Sequence, residues 1–320
     1  MEPFWIIAIC AGGVLLLLFV ALYLMAAYFF KKMFMRISDP IEDEKRAYEF
    51  MCRNGQEKSV ERTRQGRKFL ESLNPVEVSI TSYDGLRLRG RYIKNGDSHR
   101  TAILIHGYNS FVDNDFSCAF ELYYSFGVNL LLIDHRTHRQ SEGKYICFGA
   151  REKYDVRDWC RYLVENDPDC KIILSGISMG CTTALLASVL PDMPKNLSGV
   201  IADCGYVSPR GEFVHVMKST LHLPTFPLLN IAERIAKHRA GFGFSDFSTL
   251  DSVKQLHLPV LFIHGEADDF VPPENSRLNY EACASERKKL IIVPGAKHGM
   301  SFLTDETRCR RELKEFFESI

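Results

Sequence analysis

Lys171-Ile172-Ile173-Leu174-Ser175-Gly176-Ile177-Ser178-Met179-Gly180 is the stretch whose reading decides the fold. It opens on a short apolar run, and from Met179 to Leu190 the chain takes up helical periodicity. Between the two lies Gly-x-Ser-x-Gly. A strand that passes directly into a helix turns so sharply that Gly176 and Gly180 must lack side chains for the two elements to approach. Ser178 at the apex is then held in a strained backbone conformation with its hydroxyl exposed. The helix that follows aims its first N–H groups at any negative charge developing there. A nucleophilic serine in an elbow is the expectation. An inert glycine-rich turn is the rival, and the placement between strand and helix argues against it.

The same alternation extends in both directions. Val76 to Ile80 and Leu86 to Ile93 alternate in polarity about the turn Tyr83-Asp84-Gly85, which predicts a β-hairpin. Thr101 to Ile105, Val128 to Ile133, Gly199 to Ala202, Pro259 to Ile263 and Lys289 to Val293 are short and nearly continuous in apolar character. Such runs suit strands buried on both faces of a parallel sheet. Helical periodicity returns over Tyr154 to Val164 and Arg308 to Phe317. An antiparallel hairpin leading into a mostly parallel central sheet with helices on both faces is an α/β architecture, and in such sheets the chemistry collects at the carboxyl ends of the strands.

Those strand ends carry the candidate residues. His106-Gly107-Tyr108 follows the run ending at Ile105, where a second oxyanion donor is needed. The backbone N–H of Tyr108 is expected to act with that of Met179, and His106 is read as structural. After Ile263 come Glu266, Asp268 and Asp269, any of which could orient a histidine, and Asp203 at the end of the preceding run is a further candidate. His298 lies in the loop after the last strand and completes the chain order serine, acid, histidine.

The N-terminal part is of another kind. Phe4 to Phe30 has no charged side chain, and it exceeds the roughly 20 apolar residues that cross a bilayer as a helix. Met1-Glu2-Pro3 is no basic leader, which argues against a cleaved signal peptide. A single-pass membrane anchor over residues 1–36 is expected. Lys31, Lys32 and Arg36 follow the run and Glu2 precedes it, so the catalytic domain is expected on the cytoplasmic side. Residues 37–74 are strongly charged and are read as one or two surface helices with solvated faces. Every expected core strand lies beyond Pro75, so removing residues 1–36 is expected to release a soluble, active protein.

Composition excludes other classes. With 40 basic and 40 acidic side chains the net charge is zero, which gives no electrostatic case for a nucleic-acid partner. The ten cysteines form no Cys-x-x-Cys pair and no zinc-site spacing, so unpaired thiols in a reducing compartment are expected, and acyl transfer through a serine, acid and histidine implies no metal and no organic cofactor.

The segments SYDGLRLRG, ILIHGY, SGISMG, HGEADDFVP and GAKHG, taken in order, resemble serine hydrolases of the α/β-hydrolase superfamily, in its membrane-anchored, peptidase-like or acyl-hydrolase branch. The resemblance covers 75–320 as one catalytic domain and implies a small helical cap inserted at about 207–258. It implies Asp268 as the acid paired with His298, ahead of Asp269, with Asp203 as runner-up. Asp134 to Gly143 resembles the family's Asp-x-Arg-Gly-His-Gly-x-Ser-x-Gly loop but has Thr137 and Arg139 where glycines are usual. The cap reads either as a mobile lid over an acyl pocket or as ordinary apolar packing. The resemblance therefore implies acyl transfer to water on a small-molecule, lipid or acylated substrate. Ester or thioester cleavage is favoured over peptide cleavage. A catalytically silent, membrane-bound lipid binder or scaffold is the alternative of another class.

Overall fold

A computed structural model describes residues 2–35 and 57–320. The expected hairpin is β1 (Val76–Thr81) and β2 (Arg87–Ile93). The apolar runs become β3 (Arg100–Ile105), β4 (Asn129–Ile133), β5 (Lys171–Ile177), β6 (Leu197–Asp203), β7 (Val260–Gly265) and β8 (Lys288–Val293). They form one eight-stranded sheet in the order β1-β2-β4-β3-β5-β6-β7-β8. β2 runs antiparallel to β1 and to β4, and every later pairing is parallel. The chain has the α/β-hydrolase fold.

Register explains why the inner strands carry no polar alternation. On β3, Ala102 and Leu104 enter one apolar layer while Ile103 and Ile105 enter the other. The first layer is closed by α2 (Glu57–Ser72), α4 (Phe120–Ser125) and α12 (Glu306–Glu318), which contribute Leu70, Phe120, Leu313 and Phe317. The second is closed by α5 (Glu152–Asn166) and α6 (Met179–Ala187), which contribute Trp159 and Leu185. Short helices α3 (Val112–Asp115), α9 (Thr249–Val253), α10 (Glu274–Ala282) and α11 (Ser301–Thr304) complete the framework.

Two segments differ from the expectation of solvated, detachable helices. In α2, Leu70 and Thr63 are buried, Arg62 donates both its hydrogen bonds to Glu306 at 2.8 and 2.9 Å, and a side chain at Gly66 would meet the Ser117 carbonyl oxygen at 1.8 Å. Amphipathic docking, which the high charge density hides, is the physical reason. Residues 36–56 lie outside the described residues, as do Cys52 and the group Ala47 to Met51.

The long apolar run is α1 (Glu2–Phe34). Its large side chains from Phe4 to Leu18 stand exposed, as a bilayer-facing surface requires, and its length and composition suit a membrane span. Its last turns do not. Ala26, Phe30 and Phe34 are fully buried in a third apolar cluster with α7 (Pro209–Ser219) and α8 (Leu228–Ala240). Phe34 stacks on Phe244 at 5.3 Å between centroids and meets Phe213 at 5.6 Å and Phe148 at 5.0 Å. A uniformly apolar helix gives no periodicity to tell its lipid-facing turns from its protein-facing ones. The expectation that residues 1–36 are dispensable is therefore revised: the helix end belongs to the packed domain.

Candidate active site

The turn after β5 realises the steric argument made from its glycines. A side chain at Gly176 would lie 2.3 Å from the Gly180 carbonyl oxygen, and one at Gly180 would lie 2.0 Å from that of Ile105. Ser178 has φ 56° and ψ −118°, a left-handed conformation that a non-glycine residue adopts only when its surroundings enforce it. The Ser178 N–H donates to the Asp203 carbonyl at 2.9 Å, tying the elbow to the end of β6.

Three distant segments meet at this hydroxyl. His298, from the loop after β8, places Nε2 3.0 Å from Ser178 Oγ. Its Nδ1 is 2.7 Å from Asp268 Oδ2 in the loop after β7. Asp268 is buried and is held in turn by the N–H groups of Val271 and Phe270 at 2.9 and 3.1 Å. Burial alone would lift its pKa, but hydrogen bonds from His264 and His298 outweigh that and hold it near 2. Asp269 and Glu266 are exposed. Asp203 is near the elbow, yet His298 is paired with Asp268 instead.

Around Ser178 stand Met179 and Tyr108, the two residues whose backbone N–H groups are expected to act as donors. Met179 opens α6, so its N–H has no intrahelical partner. Tyr108 follows Gly107, where a side chain would lie 3.3 Å from Ser178 Cβ. The Gly107 N–H donates to Asp115 Oδ2 at 2.7 Å, and Ser110 Oγ bonds the other carboxyl oxygen. Asp115 thus fixes the loop that presents Tyr108. The Tyr108 hydroxyl donates to the Met33 carbonyl at 3.1 Å, so α1 touches the same loop.

Sequence reasoning missed two supporting residues, Asp115 and His264, and one buried acid close enough to feel the Asp268 charge, Glu212. Asp115 lies in a polar run that carries no motif. His264 is fully buried, with Nε2 2.8 Å from the Val271 carbonyl and 3.2 Å from Asp268 Oδ2, so it backs the acid. Glu212 in α7 is buried with Oε1 unpartnered among the described residues, and burial, with the Asp268 charge adding, lifts it to about 8. His106 fits its structural reading. It packs on His135 and His138 at 4.6 and 4.8 Å, and its Nε2 accepts the His135 N–H at 3.1 Å. Burial drives its pKa well down. Thr137 and Arg139 take φ 72° and 45°, so this loop keeps the left-handed turns for which the family uses glycine.

A cavity of about 410 Å³ adjoins Ser178 and His298. Its wall includes Phe116, Ala119, Ile201, Phe302, Leu303 and Leu313, and it reaches between the sheet and α12. Among the described residues, no lysine or arginine lines it. Among the described residues, Cys204, Asp268 and His298 bring one potential metal-ligand atom each within 4.8 Å. Two of these atoms are engaged with each other at 2.7 Å, and burial pushes the Cys204 thiol well up, so the cluster is poorly suited to an ion.

The chain is similar to several known proteins. The family model described as serine aminopeptidase, S33, matches residues 247–305, the part that carries Asp268 and His298. An uncharacterized protein of Bacillus subtilis, YqkD, is 30% identical over 262 residues, covering 81% of this chain and 85% of that one. An uncharacterized membrane protein of Saccharomyces cerevisiae is 26% identical over 72% of this chain and 75% of its own. Among solved structures, an esterase of Pyrococcus furiosus superposes with a TM-score of 0.65 at 25% identity, over 78% of this chain and 92% of that one.

Proposed function

The chain belongs to the α/β-hydrolase superfamily, and from that premise we propose that it is a membrane-tethered serine hydrolase that cleaves an ester or thioester of an apolar acyl group. The observation that carries this reading is the continuous hydrogen-bonded chain from Ser178 Oγ through His298 to Asp268, at 3.0 and 2.7 Å. His298 takes the serine proton as Oγ attacks the acyl carbonyl. Asp268 holds the imidazole with Nδ1 protonated and stabilises the charged ring. The N–H groups of Met179 and Tyr108 bind the oxyanion. The proton passes from His298 to the leaving oxygen or sulfur. A water activated by the same imidazole then releases the acyl group and restores Ser178.

The apolar lining of the cavity supports an acyl chain as occupant. The name of the Pyrococcus furiosus relative points the same way. The family description favours a second reading, removal of an N-terminal residue from a peptide. That chemistry needs an anion for the substrate ammonium. The carboxyls in the cavity wall among the described residues, Asp115 and Asp203, are both lifted by burial, and Asp115 is occupied by Gly107 and Ser110. Ester cleavage is therefore the reading we prefer.

The anchor is α1, with the catalytic domain on the cytoplasmic side, as Lys31, Lys32 and Arg36 imply. The nine described cysteines are free, in keeping with a reducing compartment. Turnover of p-nitrophenyl acyl esters against aminoacyl p-nitroanilides tests the bond type. Ester turnover that vanishes in Ser178→Ala is expected. Preferential anilide cleavage, or an undiminished Ser178→Ala enzyme, would overturn the reading.

A further inference from the structure

The cavity beside Ser178 is apolar over most of its wall, yet among the polar side chains in it that take no part in the chemistry described above, Tyr123, Ser175 and Asp203 form one group. Apolar side chains at these positions would pack at no desolvation cost, so their presence calls for a partner.

Their placement follows from the sheet. Ser175 on β5 pairs in register with Ile201 on β6, and Ile177 pairs with Asp203. Alternation along each strand turns Ser175 and Asp203 to the same face as Ile173 and Ile201, the face that α4 and α12 cover. Two positions apart on neighbouring parallel strands, which lie about 4.8 Å apart with a rise of about 3.3 Å per residue, they stand roughly 8 Å from each other, a gap that one oxygen function can bridge. Tyr123 comes from α4, and its hydroxyl lies 2.9 Å from Ser175 Oγ. Two hydroxyls sharing one hydrogen bond still offer one O–H donor and free lone pairs.

Asp203 Oδ1 is buried and has no partner among the described residues. Burial lifts the carboxyl to about 7, with His264 opposing and Asp268 adding to the rise, so an uncharged carboxyl can donate as well as accept. Among the described residues the wall has no lysine or arginine, which disfavours an anionic occupant. A neutral group with both hydrogen-bonding senses suits the cluster best.

We propose that Tyr123, Ser175 and Asp203 form a subsite for a hydroxyl or oxo group carried on the acyl chain, so that the enzyme selects oxygenated acyl esters over plain ones. This rests on the ester-hydrolase reading for its substrate class. The rest of the chain fills the apolar part of the cavity, while the oxygen function takes up the Asp203 oxygen that a plain chain leaves unpaired and the hydrogen-bonding capacity that Tyr123 and Ser175 keep beyond their mutual bond. A site built to hydrogen-bond a substrate hydroxyl rejects the analogue that lacks it far more strongly than an apolar pocket rejects one methylene.

The test uses the full-length protein in detergent micelles with p-nitrophenyl esters of roughly six to twelve carbons: plain, hydroxy, oxo and amino chains of matched length. At one position along the chain, kcat/KM for the hydroxy or oxo ester should exceed that of the plain ester at least about tenfold. Asp203→Leu and Tyr123→Phe should each collapse that ratio toward one. Tyr123→Phe keeps the ring packing and carries the test if Asp203→Leu does not fold. The same ratio is read without turnover as Kd for the intact esters on Ser178→Ala, by calorimetry. Equal constants for oxygenated and plain chains, a ratio unchanged in the variants, or a preference for the amino chain would each overturn the subsite. A Kd ratio that holds while wild-type protein turns over no ester would support the subsite and sink the hydrolase reading instead.

Discussion

Two truncations separate the exposed apolar part of α1, the candidate membrane span, from the part that packs on the domain. Deleting residues 1–24 removes side chains that are mostly exposed, whereas deleting 1–36 also removes Ala26, Phe30 and Phe34, each at 0% exposure. Fully burying a phenylalanine is worth roughly 1.5–3 kcal/mol, so the two rings alone account for about 3–6 kcal/mol. Net stability of a domain is only about 5–15 kcal/mol. The shorter cut also leaves the hydrogen bond from Tyr108 to Met33 in place. At roughly 2–4 °C per kcal/mol for a chain of this size, the 1–36 deletion should melt about 6–24 °C below the 1–24 deletion. It should also lose turnover, because the released cluster includes Tyr108 and Met179. Thermal unfolding and p-nitrophenyl ester hydrolysis of both proteins, in one detergent buffer, are the assay. Equal melting temperatures within about 2 °C and equal turnover would refute the claim that the helix end is a structural part of the site.

Asp268→Asn should lower turnover about 10⁴-fold, while Asp269→Asn, at an exposed position, leaves it near wild type; steady-state kinetics that rank the two the other way would move the acid. Glu212 keeps its proton in the folded chain up to about pH 8, whereas the unfolded chain loses it near 4.3, so its contribution to stability falls as pH rises between those values. Glu212→Gln should therefore gain on wild type from pH 5 to 9, by on the order of 3 kcal/mol; parallel thermal-unfolding curves across that range would contradict the burial of its charge. For orientation, most of the described native thiols are buried and report nothing, so a cysteine is placed at Asp251, whose side chain is 76% exposed. In Asp251→Cys, a membrane-impermeant maleimide should label only after lysis, and labelling of intact cells would put the domain outside.

Much of the site was legible because its constraints are local. Gly176 and Gly180 are forced by a turn that leaves no room for a Cβ, and that requirement is written in five consecutive residues. His298 could be named because the chain order of strand ends is itself a pattern. The choice of Asp268 over Asp203 came from resemblance to a family, since both follow core strands and only three-dimensional reach distinguishes them. Asp115 and His264 were hidden for a different reason. They act on backbone groups and on another side chain across the fold, and such contacts leave no periodicity in sequence. The docking of Phe30 and Phe34 was hidden by uniformity, because an all-apolar helix reads the same whether lipid or protein lies against it. Thr137 and Arg139 show the converse: glycine is the cheapest residue for a left-handed turn, but surrounding hydrogen bonds can hold others there.

The central claim is that Ser178 is an activated nucleophile, and covalent trapping tests it most directly. The full-length protein is treated with a fluorophosphonate, digested, and mapped by mass spectrometry beside Ser178→Ala and His298→Ala. One adduct per chain on the peptide containing Ser178, absent from Ser178→Ala and strongly slowed in His298→Ala, is the predicted result. A modified residue elsewhere, or a wild-type protein that stays unlabelled while hydrolysing esters, would contradict the account.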